Sequence, residues 1–317
     1  MTAPVRSGRR VPPDWPVAAV LLAPALVLLS VFAVHPMFSS VHMSLYGGRR
    51  AAGDFVGLGN YAGLARDPEF WRALAVTGYY VAGTVPVMLV LSLLIALALR
   101  RVVLARGLFR TVFFLPYVTS VVAAAMVWRA LLNPQSGPVS LLARSVAGAS
   151  PNWLLEPRGV LHLVTGGWAP PDAGPSLALC CVMLFDIWHG CGFMVVVFLA
   201  GLCAIPSELE DAVRLDGAGR VRGFFAVTLP MLSPTVFFLF TVGCVKAFQA
   251  FNSFYALTQS DGNGGLDTRN MVLFIYTQFY SYGYWGRAAA AATLLTLVIM
   301  AFTLVQWKVL GRKVFYS

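Results

Sequence analysis

Uninterrupted apolar runs decide what this chain can fold into. No Lys, Arg, Asp or Glu falls between Val17 and Gly48, and five further runs of comparable character follow. A helix needs about 20 mostly apolar residues to cross the roughly 30 Å hydrocarbon layer. The runs place spans at about 17–45, 76–99, 109–132, 177–203, 232–258 and 287–309. Period-2 alternation of the kind a membrane barrel requires is absent, so the spans are expected to be helical. Only 11% of the residues are charged and the mean hydropathy is +0.74. Soluble domains carry about 25% charge, so that class is excluded. The expected fold class is all-α: a polytopic membrane protein with six transmembrane helices.

Six crossings put both termini on one side. Lys and Arg flanking the spans are more numerous there (Arg6, Arg9, Arg10; Arg100, Arg101, Arg106, Arg110; Arg214, Arg220, Arg222; Lys308, Arg312, Lys313) than opposite (Arg49, Arg50, Arg66, Arg72, Arg144, Arg158, Arg269, Arg287). The positive-inside rule then makes the termini cytoplasmic and residues 1–16 a cytoplasmic tail. This distribution also accounts for the pI near 9.7 without nucleic acid. The first run outlasts a signal-peptide core and lacks an A-x-A-like site, so it reads as a retained anchor. The loop over 134–176 shows no apolar periodicity and is expected to be an irregular external cap. The five cysteines lie in or at the edge of apolar runs, without metal-ligand spacing, and read as packing residues. No metal site is expected, and His35, His42 and His162 are assigned none.

Between the fourth and fifth runs lies SELEDAVRLDGAGRVRGFFAVTLP, Ser207 to Pro230, where charge is concentrated. Ser207 and Glu210 form a capping box opening a helix after Pro206. Glu208, Glu210 and Asp211 suit its positive end, and Leu209, Ala212 and Val213 share one face. Asp216 and Gly217 end it, with glycine free to take the left-handed conformation of a C-cap. A second helical piece should follow, carrying Val221, Phe224, Phe225 and Thr228 on one face until Pro230 breaks it.

The pattern resembles the cytoplasmic E-A-A-x3-G-x9-I-x-L-P loop of binding-protein-dependent ABC importer permeases. Asp211, Ala212 and Val213 stand where that motif has E-A-A, Gly217 is its glycine, and Val227, Leu229 and Pro230 match its I-x-L-P. Asp for Glu and Val for Ala are the departures. Segments such as FVGLGNYAGL, FRTVFFLPYVTSVVAAAMVWRALLNPQSG and FNSFYALT are similar to sugar permease subunits, so the resemblance covers most of the chain. It implies a type I ABC importer transmembrane domain over 17–317, in a prokaryotic plasma membrane. Its coupling segment, at about 204–230, would dock on a separate ATPase subunit through Glu208, Asp211, Ala212, Val213, Asp216, Gly217, Leu229 and Pro230. It further implies a second permease subunit as heterodimer partner, two ATP-binding subunits holding ATP and Mg, and an extracytoplasmic substrate-binding protein. The solute would be a sugar or a glycerol-phosphate-type compound. The three lysines are followed by Ala247, Val309 and Val314, so no Walker motif exists in this chain and no cofactor is expected on it.

Polar groups inside spans are costly and mark function. Gln249, Asn252 and Ser253, within about one helical turn, with Tyr255 nearby and Asp186 in the fourth span, form the expected substrate pathway. The same groups could instead join helices, as could Asp186 with His189. A proton-coupled secondary transporter using Asp186 is the rival reading. The run Ala288 to Ala292 permits close helix approach, and a partner permease is the expected neighbour.

Overall fold

The computed structural model describes residues 15–49, 53–101, 106–148, 150–156, 158–168, 170, 174–217, 219–259 and 268–311. These are overwhelmingly helical. The elements that matter are α1 (Trp15–Met43), α2 (Gly59–Ala65), α3 (Pro68–Arg101), α4 (Arg106–Val118), α5 (Val121–Leu131), α6 (Pro138–Ala147), α7 (Leu177–Cys203), α8 (Ser207–Leu215), α9 (Arg220–Met231), α10 (Ser233–Phe248), α11 (Met271–Tyr276) and α12 (Trp285–Val309). Four of them, α1, α3, α7 and α12, are long and apolar enough to cross a membrane unbroken. Two more crossings are bent pairs, α4 with α5 at 94° and α9 with α10 at 65°. The chain is a multi-pass membrane protein.

The sequence places α7 correctly at both ends and α12 within two residues. It places α3 too late, at 76 rather than 68. Asp67 accepts from the Glu69 N–H at 2.9 Å through Oδ1 and Pro68 occupies the first helical position, a helix-start signature. The acidic residues of this helix opening are paired: Asp67 with Arg287, and Glu69 with Arg269 at 3.3 Å. These two pairs tie the start of α3 to the start of α12 and to the approach to α11.

The expected span 109–132 is not one helix but breaks at Thr119 and Ser120, where Ser120 takes ψ 125. The expected span 232–258 stops at Phe248. Pro230 does not break the second helical piece either; α9 runs to Met231 and the bend falls at Leu232. Proline fits near the start of the short turn Leu229–Met231, where its missing N–H costs nothing. The loop over 134–176 is less irregular than expected. It contains α6, opened by Pro138 and closed by Gly148 at φ 72, and Trp153 Nε1 donates to the buried Ser140 hydroxyl at 2.9 Å.

The core lies between α3 and α7, with Phe185, Phe198, Val182 and Leu179 buried. Glycines set how closely their neighbours approach. A side chain at Gly192 would fall on the Phe113 carbonyl of α4, and one at Gly190 would meet the Met88 sulfur at 3.1 Å. α1 contributes no buried residue and touches α12 through its His35–Met43 end. Ala288 to Ala291 are buried within the chain's own core, beside α11 and α2. The alanine run is therefore not the face offered to another subunit, as its small side chains had suggested.

Candidate functional site

A cavity of about 350 Å³ opens beside the α4–α5 break and the end of α10. Its walls come from α3 (Tyr80, Thr84), the end of α4 (Tyr117), α7 (Asp186, His189, Phe193) and the segment after α10 (Gln249, Asn252, Ser253). Breaking a helix inside a membrane releases backbone groups that must find partners, and such breaks are tolerated where they line a cavity. Here the partners are identifiable. The Ala250 carbonyl accepts from Asn270 Nδ2 at 2.6 Å, while Asn270 Oδ1 accepts from the Leu273 N–H at 3.0 Å and caps α11. The Met271 N–H donates to Thr77 Oγ1 at 2.9 Å, which anchors that cap to α3. Arg129 of α5 donates to the Ala256 carbonyl at 3.5 Å.

The expected pathway residues converge, though not by the reasoning of one helical face. Gln249 ends α10 with φ −97 and ψ 9, Phe251 takes φ −130, and a new helical turn starts at Asn252. Gln249 and Asn252 are exposed into the cavity and Ser253 is buried beneath it. Tyr255 leaves the wall; its ring stacks on Phe251 at 5.4 Å. Asp186 is held on both sides, with Oδ2 accepting from the Tyr80 hydroxyl at 2.7 Å and from the Ser253 hydroxyl at 2.8 Å. His189 does not join it. Its Nε2 lies 3.3 Å from the Thr119 carbonyl at the α4–α5 break.

Other residues of the wall, Lys246, Tyr80 and Tyr117 among them, extend the expected pathway set. Lys246 places its ammonium 5.0 Å from the centre of the Phe193 ring and 5.7 Å from that of Tyr117, cation–π geometry that keeps a charge at the cavity edge. Tyr80 and Tyr117 carry no sequence signal beyond a hydroxyl within an apolar run. Among the described residues no group of three or more His, Cys, Asp and Glu side chains is placed to hold a metal ion.

At the other end of α7 and α10, α8 and α9 form a helical hairpin. α8 runs from Ser207 to Leu215, and Gly217 turns the chain at φ 70. The two limbs meet where the Val213 methyl would lie 3.0 Å from a side chain at Gly223. Glu208, Ala212 and Asp216 are exposed, Leu229 is half-buried and Pro230 is exposed. The Asp211 backbone belongs to α8, but its side chain, like those of Glu210 and Arg214, lies outside the described residues. A π turn over Phe224–Thr228 changes the face expected for the second limb. Thr228 is buried, whereas Val221 and Phe225 point outward at 73% and 62% exposure.

A bundle with a polar cavity at broken crossings and a protruding hairpin between two of them defines a membrane transporter subunit. Residues 56–316 match the family described as binding-protein-dependent transport system inner membrane component, and the chain belongs to that family. It is 30% identical to the probable ABC transporter permease protein YurN of Bacillus subtilis, over 91% of this chain and 94% of that one. It is 29% identical to the sn-glycerol-3-phosphate transport system permease protein UgpA of Agrobacterium fabrum, over 94% and 96%. Identity to the lactose transport system permease protein LacF of Rhizobium radiobacter is 30%, over 91% and 92%. The fold is that of a chain in a bacterial ABC transporter involved in the import of the acidic polysaccharide alginate, with a TM-score of 0.77 at 21% identity over 94% and 96%. A second structure of the bacterial alginate transporter, in complex with an alginate pentasaccharide-bound periplasmic protein, gives a TM-score of 0.76 at 21% identity over 92% and 93%. The chain is thus the permease component of an ABC importer and not an enzyme, with the type I importer fold its sequence resembles. A binding protein is the partner its family membership supplies. The proton-coupled alternative finds no support.

Proposed function

We propose that this chain is one of two permease halves through which a sugar or a glycerol-phosphate-type solute passes, driven by ATP that separate subunits hydrolyse. The observation that carries the energy-coupling part is the hairpin α8–α9. It leaves the bundle between two crossings, turns at a left-handed Gly217, and presents Leu215, Val221 and Phe225 unburied beside Glu208, Asp216, Arg220 and Arg222. Apolar side chains on a charged, protruding hairpin suit a partner that buries them. Glu208, Asp211, Ala212, Val213, Asp216, Gly217, Leu229 and Pro230 are assigned to that contact. The hairpin and both termini face the cytoplasm, ATP and Mg reside on the partner, and the second permease completes the pathway.

The solute class rests on the cavity, where the amides of Gln249 and Asn252 and the rings of Tyr117 and Phe193 provide hydrogen bonds and apolar faces. Lactose and sn-glycerol-3-phosphate, named for the relatives, fall within that chemistry. The experiment is co-expression with the candidate ATPase subunits, followed by copurification and uptake of labelled solute. Phe225→Ala with Val221→Ala should release the ATPase subunits and stop uptake while the permease stays in the membrane. Retention of both by the double variant would move the contact elsewhere.

A further inference from the structure

Lys246 stands in the last turn of α10, about 20 Å of helix beyond Ser233 and so deep in its crossing. Among the described residues no carboxylate pairs with it. Asp186 is the only carboxylate on the cavity wall, and its Oδ2 already accepts from Tyr80 and Ser253. The ammonium rests instead 5.0 Å from the centre of the Phe193 ring, and the Tyr117 hydroxyl at 3.5 Å is too far for a strong hydrogen bond. Ring faces hold a cation in place but leave its charge intact. Further donors on the same wall are unused. Thr77, Thr241 and Thr293 donate to the carbonyl four residues back, the ordinary outlet of a helical threonine. Thr84 does not, and its buried hydroxyl lines the cavity with no partner among the described residues. The side-chain amides of Gln249 and Asn252 likewise meet no partner among those residues.

We infer that Lys246 determines which solute the cavity accepts, as the counter-charge for a phosphate monoester carried by a small polyol or sugar. Thr84, Gln249 and Asn252 are the neutral donors beside it. The inference rests on the importer reading above and selects the anionic of its two solute types. An ionised side chain inside a membrane bundle is costly unless another group answers it. A neutral sugar entering the cavity would displace water from the ammonium and return no charge, whereas a phosphate returns charge and three acceptor oxygens. Lysine acts on phosphate as a point charge, its donors free of the planar fork by which arginine grips a carboxylate. The cavity volume of about 350 Å³ stands at the lower end of ligand pockets, which suits a small solute.

The test uses the permease assembled with its partner subunits in detergent, without the binding protein, carrying Asn252→Cys and lacking the five native cysteines. An anionic and a cationic thiosulfonate of similar size are compared first. With Lys246 present the anionic reagent should react about tenfold faster, the effect of one unpaired charge nearby. Lys246→Gln should bring the two rates together, and Lys246→Arg should keep them apart. Equal rates with Lys246 in place mean that a carboxylate of the second permease already neutralises it, and overturn the inference. Protection is then measured with an uncharged hydrophilic reagent. Either sn-glycerol-3-phosphate or glucose-6-phosphate should slow labelling, glycerol and glucose at the same concentrations should not, and Lys246→Gln should abolish the protection. Protection by neither phosphate, or equal protection by the neutral counterparts or in Lys246→Gln, overturns the inference. ATP hydrolysis by the same preparation keeps the two readings apart. Hydrolysis without phosphate protection removes the role of Lys246 and leaves the importer standing, whereas a permease that retains no ATPase subunit removes the importer reading itself.

Discussion

Tyr80 and Ser253 donate to the same oxygen of Asp186, from α3 and from the turn that follows the α10 break. One carboxylate thereby joins three elements, and the Tyr80 ring also packs edge-on to Phe254 at 4.8 Å. Both hydroxyl-bearing residues are buried. Asp186→Ala removes the shared acceptor, and each buried hydroxyl left unpaired costs about 1–3 kcal/mol. Thermal unfolding of the purified assembly should show a clear loss for Asp186→Ala and a small one for Asp186→Asn, which keeps a carbonyl oxygen. Equal midpoints for Asp186→Ala and wild type would show the carboxylate to be no joint at all.

Gly217 separates backbone geometry from crowding. At φ 70 it adopts a conformation that disfavours side chains by roughly 1–2 kcal/mol, yet an added Cβ would meet nothing within 4 Å. Substitution therefore acts through the turn alone. Gly217→Val should abolish uptake with membrane insertion intact, while Gly217→Asn, a residue that tolerates this conformation, should retain much of it. Uptake measured beside membrane-fraction blots decides the matter, and a fully active Gly217→Val would remove the turn from the mechanism.

Gly192 is the opposite case, because space decides it. A methyl there would occupy the position of the Phe113 carbonyl in α4, which is backbone and can yield only by moving the helix. Gly192→Ala should reduce the yield of folded permease on size-exclusion chromatography. Gly78→Ala, in α3 with nothing within 4 Å of the added carbon, should be neutral or slightly better.

What could be read from the sequence divides along the range of the forces involved. The ends of α7, the hairpin and the left-handed Gly217 rest on apolar periodicity, caps and turns, all contained in neighbouring residues. The helix break after Gln249 does not. Gln249, Ala250 and Phe251 include no proline or glycine, and what stabilises the break arrives from Asn270, 20 residues away, and Arg129, 127 residues from the Ala256 carbonyl it meets. Tyr80 likewise reaches the site from 106 residues away. The early start of α3 lay within reach, since Asp67-Pro68-Glu69 is a helix opening. The partners of its acidic residues, Arg287 for Asp67 and Arg269 for Glu69, lie 220 and 200 residues away and leave no local signal.

The cavity makes a graded prediction for cysteine labelling. Gln249 and Asn252 are exposed into it, while Ser253, next in sequence to Asn252, is 4% exposed and engaged by Asp186. Unpaired amides facing lipid would be unfavourable by about 2–7 kcal/mol each, so both must meet water or protein. The background needs all five native cysteines replaced, since Cys203 is exposed and Cys180 half-buried. In the assembled importer, Asn252→Cys and Gln249→Cys should react with a hydrophilic thiol reagent, and the rates should change when ATP is trapped on the partner, because access opens to one side at a time. Ser253→Cys should react far more slowly in every state. Asn252→Ala should lower uptake with assembly intact. Should Asn252→Cys stay unreactive in all states while Asn252→Ala loses the complex, these amides are a contact between helices, and the solute passes along another face of the bundle.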